Sequence, residues 1–196
     1  MIVVDIETTG LDGNKSSIVS IGAVSFEDST KTFYEECKIW DGAIVLNEAL
    51  LINGFTESDI KNETKKTEAE IVEDFINFLN SQKDYFLAGH NPILDINFLD
   101  FAIQRAGKNR VWGGRTLDLH SICYAHMVRR KIDLPTKDGK STLTSDIVMD
   151  YVGIPREPRP HIGINGALWE TEAFSRLLYN ENKLEQFKEY PIPWLA

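Results

Sequence analysis

Carboxylates near the start of the chain are the first residues whose type and spacing could do chemistry. Asp5 and Glu7 follow the apolar residues 2–4 and precede the turn sequence at 8–10. Residues two apart on a strand project to the same side, so the pattern predicts that the two carboxylates lie together. Buried side by side, they would repel each other and lose their hydration. A hard divalent cation such as Mg²⁺ relieves both costs, so the pair predicts a metal site.

Two further acidic residues stand at the beginnings of predicted helices. Asp95 lies in GHNPILDINFL at 89–99, where a strand gives way to a helix. Glu170 lies in NGALWETEA at 165–173, which opens another helix. Taken alone, Asp95 fits an acid favoured by the helix dipole, and Glu170 fits a solvent-exposed helix acid. Their functional interpretation depends on their combination with Asp5 and Glu7.

Together the three segments resemble the motifs of the DnaQ-like, or DEDD, exonuclease family. DIETTG at 5–10 is similar to its first motif, the segment 89–99 to its second, and the segment 165–173 to its third. ALLINGFT at 49–56 resembles the segment that precedes the second motif. The resemblance covers nearly the whole chain. It implies an α/β, ribonuclease H-like fold with a five-stranded mixed sheet flanked by helices, and it implies removal of nucleotides from 3′ ends.

The resemblance also implies a site with two divalent cations, Mg²⁺ or Mn²⁺. Carried over by position, Asp5 would bridge both cations, Glu7 and Glu170 would bind the first, and Asp95 would bind the second, directly or through water. One cation would activate the attacking water and the other would stabilise the leaving 3′ oxygen. The residues expected to bind the terminal nucleotide are Thr8, Thr9, Gly10, Leu11, Phe55, His90 and Asn91. Phe55 fits a core residue equally well.

Two positions depart from the family pattern. The last acid is Glu170 where the family has Asp, and Asn165 occupies the position of the histidine base in the histidine branch. An amide cannot accept a proton at neutral pH, and loss of a general base costs about 10²–10⁴ in rate. His161, four residues earlier, is either a surface-loop histidine or a substitute base if its loop folds back.

Length, composition and charge limit the classes of protein that the sequence can encode. The 196 residues, 42% hydrophobic and 26% charged, predict a single domain over 1–196. A net charge of −9 argues against a protein that coats nucleic acid, but segment 105–159 holds eleven Lys/Arg against six Asp/Glu. That segment is either a basic strip that contacts a short nucleic-acid strand or a solvated face.

Two distant cysteines, no signal segment and no membrane-length apolar run predict a cytoplasmic protein without a membrane partner. A homodimer is compatible with the resemblance.

Hydrophobic periodicity and turn residues predict the elements that position these side chains. Strands are predicted at 1–6, 18–27, 31–39, 85–89 and 115–119, with 18–39 as a hairpin. Helices are predicted at 46–53, 67–80, 93–106, 119–130, 143–152 and 166–179. Thr67 and Glu70 predict a capping box at the second helix.

The leading functional hypothesis is a metal-dependent 3′→5′ exonuclease that acts on single-stranded DNA or RNA ends. Because Asn165 replaces the expected base, the alternative is a catalytically weak or inactive nucleic-acid-binding or scaffolding module that keeps the fold. A phosphodiesterase for a small nucleotide is a third possibility.

Overall fold

The computed structural model describes residues 1–83 and 85–195. Its strands are β1 (Ile2–Thr8), β2 (Ile18–Ser25), β3 (Thr32–Lys38), β4 (Lys66–Thr67), β5 (Leu87–Gly89), β6 (Leu117–Asp118), β7 (Thr136–Lys137) and β8 (Lys140–Ser141). Its helices are α1 (Asn47–Asn53), α2 (Glu57–Ile60), α3 (Glu68–Asn80), α4 (Ile93–Arg105), α5 (Leu119–Arg129), α6 (Ser145–Val152) and α7 (Gly163–Tyr179), with a 3₁₀ turn at Glu185–Phe187. None of the helices in the described part is both long and apolar enough for a membrane span.

The main sheet has the spatial order β4-β3-β2-β1-β5-β6. Strands β1, β2 and β3 form an antiparallel meander, while β5 pairs parallel to β1 and β6 pairs parallel to β5. The predicted mixed sheet flanked by helices is therefore confirmed, but the predicted number of five strands is wrong. The sixth strand is β4, whose two residues pair with the end of β3 and immediately precede α3. Two residues are too few to show an alternation in sequence.

Two apolar cores lie on opposite faces of the sheet, because side chains alternate along β1. Val3 belongs to the core formed with α5, α6 and α7, whereas Ile2 and Val4 belong to the core formed with α3 and α4. Both cysteines, Cys37 and Cys123, are unpaired and buried. The helices therefore cover both faces and leave the carboxyl ends of the parallel strands for the polar residues.

All six predicted helices are present, with ends shifted by one to three residues. Thr67 and Glu70 form the predicted capping box of α3. Helix α7 begins at Gly163, three residues before the predicted start, and α6 begins at Ser145 after its N-cap Thr144. The segments α2 and β7–β8 were not predicted. The hairpin β7–β8 turns at Asp138-Gly139, both with positive φ, and an Asp-Gly pair is a known signal for such a turn.

A buried ion pair fixes the end of α7 to the following segment. Arg176 Nε lies 2.8 Å from Glu172 Oε1, and both side chains are fully buried. The remaining guanidinium donors reach the carbonyls of Val152, Phe187 and Tyr190. The second oxygen of Glu172 accepts the backbone N–H groups of residues 183 and 184. This network ties α6 and the C-terminal segment to α7, the helix that carries Glu170.

Candidate active site

The first two carboxylates lie toward the carboxyl end of β1. Val4 and Ile6, which alternate with them, are buried in the core beneath α3 and α4, so Asp5 and Glu7 project toward α7. Helix α7 comes close to Asp5 at Gly166, where an added Cβ would lie 2.7 Å from the carboxyl carbon of Asp5. Only glycine leaves room for that carboxylate, so Gly166 shapes the site without contributing a side chain.

Asp95 and Glu170 approach the same place from two other elements. Asp95 Oδ1, in the first turn of α4, accepts the backbone N–H of Ile6 at 3.1 Å. Glu170 Oε2, on α7, accepts the backbone N–H of His90 at 3.1 Å, just beyond β5. Both side chains are buried. Residues that are far apart in sequence are thus brought together where β1 and β5 end.

The pKa values of all four carboxyl groups are raised, and burial is the main cause at each of them. Burial, followed by repulsion from Glu170 and Asp95, raises the pKa of Asp5 well above its usual range. Burial, followed by repulsion from Asp95, raises the pKa of Glu170. Burial also raises the pKa of Glu7 to about 8 and the pKa of Asp95 to about 7. Raised carboxyl pKa values in a cluster are typical of functional sites.

A fifth carboxylate, Glu157, belongs to this cluster and was missed by the sequence analysis. Its charge raises the pKa values of Asp5, Glu7 and Glu170. Burial raises the pKa of Glu157 itself to about 7. It lies in the loop before α7, where Glu157 Oε1 accepts the backbone N–H of Ile162 at 3.3 Å. The only signal in the sequence was its spacing of four residues from His161.

The chemistry of this donor set fits divalent cations. All five groups are carboxylates, which Mg²⁺ and similar hard cations prefer. A cation would offset the cost of burying these charges, which is the main cause of their raised pKa values. Among residues 1–83 and 85–195, no three such side chains are already arranged around one ion position. Asp95 and Glu170 each have one oxygen that accepts a backbone N–H, which leaves the second oxygen of each carboxylate for a cation.

Asn165, which stands where the family has its base, and His161, the candidate substitute base, occupy different positions. Asn165 lies in the first turn of α7, where its backbone N–H donates to Ile162. The loop before α7 packs against the end of α1, because the backbone N–H of His161 donates to the carbonyl of Ile52 at 3.0 Å. His161 Nδ1 lies 3.7 Å from Glu157 Oε2, and its Nε2 is buried without a partner in the described structure. Burial lowers the pKa of His161, with a further contribution from Arg159.

A cavity of about 220 Å³ adjoins Glu7. Thr8, Gly10 and the 77% exposed Leu11 line it on one side, and residues 46–53 at α1 line the other. Thr9 does not face this cavity, because its hydroxyl donates to Ile44 and accepts the N–H of Ser17. Three of the four consecutive residues expected to bind a nucleotide therefore meet a cavity beside the carboxylates, while Thr9 supports the turn.

The other expected substrate residues lie elsewhere. Phe55 lies in a separate depression, with the ammonium of Lys65 4.8 Å from its ring centre. The His90 ring nitrogen Nε2 lies 3.1 Å from the carbonyl of Leu143, and burial lowers the pKa of His90. Asn91 has a φ of 54° and donates its backbone N–H to Asp118. None of these three residues lines the cavity beside Glu7.

Comparison with known proteins identifies the family. Residues 2–164 match the family model described as Exonuclease. The chain belongs to this exonuclease family. The predicted kinship with DnaQ-like exonucleases is therefore confirmed, and with it a class of nucleases that act on nucleic acid.

Related sequences and structures agree with this membership in the exonuclease family. The PolC-type DNA polymerase III of Thermotoga petrophila is 29% identical over 104 residues, which cover 53% of this chain and 7% of that protein. The PolC-type enzyme of Lacticaseibacillus paracasei is 27% identical over 144 residues, 72% of this chain and 10% of that protein. The chain thus spans a tenth or less of the length of these curated relatives.

Solved exonuclease structures share the fold. Escherichia coli Exonuclease I in complex with a dA16 oligonucleotide has a TM-score of 0.73 at 18% identity, covering 92% of this chain and 40% of that one. Cell-death related nuclease 4 has a TM-score of 0.71 at 15% identity, covering 93% of this chain and 64% of that one. The predicted ribonuclease H-like exonuclease fold is thereby confirmed.

Proposed function

We propose that the chain is a metal-dependent 3′→5′ exonuclease domain that hydrolyses single-stranded DNA or RNA from its 3′ end. The observation that carries the proposal is the convergence of Asp5, Glu7, Asp95 and Glu170, whose pKa values are raised mainly by burial, with repulsion between carboxylates adding to the effect at Asp5, Glu7 and Glu170. Such a buried cluster is costly unless cations neutralise it. Two divalent cations, Mg²⁺ or Mn²⁺, held by these residues would supply activation of water and stabilisation of the leaving 3′ oxygen.

The cavity beside Glu7 supports a terminal-nucleotide site. Leu11 presents an exposed apolar side chain at its edge, and residues 46–53 close the opposite side. A base can pack against such apolar surface while its phosphate points toward the carboxylates. The sugar and base would then be held by β1 and α1, and the scissile bond would lie at the cation site.

His161 is the candidate proton acceptor in place of Asn165. Its lowered pKa keeps the imidazole neutral at pH 7, the form that a base requires. Glu157, 3.7 Å from Nδ1, would stabilise the imidazolium that forms when the other ring nitrogen takes a proton. The charge of Glu157 also raises the pKa values of Asp5 and Glu7. Glu157 therefore interacts electrostatically with both this imidazole and the carboxylate cluster.

A second candidate function is nucleic-acid binding without turnover. It is favoured by Asn165 and by the finding that, among the described residues, no three potential ligands are already arranged around one ion position. The two functions differ in one respect that can be measured, because binding survives chelation of cations while hydrolysis does not.

The test is release of mononucleotides from DNA and RNA oligonucleotides labelled at either end, with Mn²⁺, Mg²⁺ or EDTA. The expected result is metal-dependent release that begins at the 3′ end, is lost in Asp5→Asn and persists in the exposed control Asp12→Asn. His161→Ala is expected to lower the rate about 10²–10⁴-fold, while Asn165→His is not expected to raise it much. Full activity of Asp5→Asn, or release from the 5′ end, would refute the proposal. Binding with no turnover under every condition would favour the second function.

A further inference from the structure

A row of aromatic rings leads away from the carboxylates along α5. The His90 and His120 rings meet edge to face, with centroids 6.0 Å apart, and His120 stacks on Tyr124 with centroids 6.5 Å apart. The row begins beside the site, because the backbone N–H of His90 holds Glu170. It ends at Tyr124, which is 43% exposed. Flat rings that reach solvent are surfaces on which nucleobases stack.

The hairpin β7–β8 lies against the same row. Ser141 Oγ on β8 is 2.9 Å from the Nε2 of His120, and the carbonyl of Leu143 is 3.1 Å from the Nε2 of His90. Lys137 and Lys140 are paired across this hairpin and both are exposed. The rings and these two ammonium groups therefore belong to one surface.

The positive charge on this surface has no protein partner. Within the described residues, Lys137 and Lys140 are both exposed and neither forms an ion pair. Several lysines on other surfaces are neutralised; for example, Lys31 pairs with Asp28 and Lys108 pairs with Glu73. Cations without a protein partner, on a chain of net charge −9, are available to an anionic ligand.

We propose that this aromatic–basic strip, formed by His120, Tyr124, Lys137 and Lys140, binds the single strand upstream of its 3′ end. The inference rests on the proposed function, because it extends the strand from the cavity beside Glu7. Bases stack on the ring of Tyr124, and the cations contact successive phosphates. This combination of stacking and phosphate contact is the usual mode of single-strand binding. An acidic protein segment would use the charges but would gain little from a row of rings continuous with the carboxylates.

The experiment measures affinity by fluorescence anisotropy for labelled dT4 and dT16, with a U16 arm, in EDTA over a series of salt concentrations. The variants are Lys137→Gln/Lys140→Gln and Tyr124→Ala. The matched control is Lys31→Gln/Lys108→Gln, which removes equal charge from paired sites elsewhere. Thermal melts of each variant show that the fold is intact.

The expected result is that the wild type binds dT16 more tightly than dT4. The hairpin double variant reduces the salt slope for dT16 by about 0.7 per lost phosphate contact, and Tyr124→Ala weakens dT16 binding about 5-fold or more. Both variants leave dT4 binding unchanged. Equal affinity for the two lengths, an equal loss in the control, or competition by poly-glutamate as strong as that by dT16 would overturn the inference. Strip-dependent binding without Mn²⁺-dependent hydrolysis would refute the proposed function alone.

Discussion

The close approach of α7 to β1 gives a sharp test of the site, because one methyl group at Gly166 should displace a carboxylate. An added Cβ lies 2.7 Å from the carboxyl carbon of Asp5 and 3.3 Å from its Cβ. Asp5 Oδ2 is closer still, at 2.0 Å. Non-bonded heavy atoms in contact prefer about 3.5 Å or slightly less, so in Gly166→Ala the Asp5 carboxylate must move by about 1 Å or more. Asp5 has little room for this movement, since Gly163 on the same helix is packed against its carbonyl.

The magnitude follows from the sensitivity of catalysis to position. A misplacement of about 1 Å can cost about 10² in rate, so Gly166→Ala is expected to lower kcat about 100-fold in the mononucleotide-release assay. The stabilisation by Mn²⁺ in a thermal melt should shrink in parallel, because Asp5 is a proposed ligand. The matched control is Gly114→Ala, where an added Cβ meets nothing within 4 Å.

Stability and catalysis can be separated in this variant. Replacing glycine by alanine inside a helix favours the helix by about 1 kcal/mol, so a weaker helix cannot account for lost activity. An unfolded variant would be visible in the melt and would not count. Gly166→Ala that is folded, binds Mn²⁺ like the wild type and keeps its rate would refute the placement of Asp5 at the reacting centre.

Two further predictions concern protonation and the buried ion pair. Glu7 and Asp95, with pKa values of about 8 and about 7 in the folded chain, have pKa values of about 4 when unfolded. Between these folded and unfolded pKa values the folded state binds more protons than the unfolded state, so in EDTA the Tm should fall as the pH rises from 5 to 8. Mn²⁺ should raise the Tm more at pH 8 than at pH 5. A Tm that rises with pH in EDTA would contradict this reasoning. Arg176→Met leaves Glu172 charged and fully buried, so urea unfolding should show a loss of about 3–5 kcal/mol; a loss below 1 kcal/mol would show that the pair is not needed.

Local sequence patterns were sufficient for most of the fold. The apolar runs and the turn of the β2–β3 hairpin, and the capping box of α3, each act over a few residues and were predicted from those residues. The edges of the sheet were not predicted. Strand β4 has only two residues, and β5 begins at Leu87 rather than at 85, because pairing with neighbouring strands decides where such short strands begin and end.

The site shows a similar division between local and long-range information. Asp5 and Glu7 were found from their spacing on one strand, and Asp95 and Glu170 from family motifs. Glu157 has no comparable signal. The carboxylate of Glu157 is held by the backbone N–H of Ile162. The loop that contains both residues is anchored to the end of α1, which is distant in sequence.

The loop before α7 changes how the substitution at Asn165 is interpreted. In place of one histidine on the helix, the chain places an imidazole and a carboxylate, His161 and Glu157, in a segment held against α1. Glu157 adds negative charge to a cluster that already holds four carboxylates, which strengthens the demand for cations. The same charge favours an imidazolium beside it, although burial keeps His161 neutral beforehand. A single glutamate can therefore serve both cation binding and proton uptake, so the missing histidine does not by itself make the site inactive.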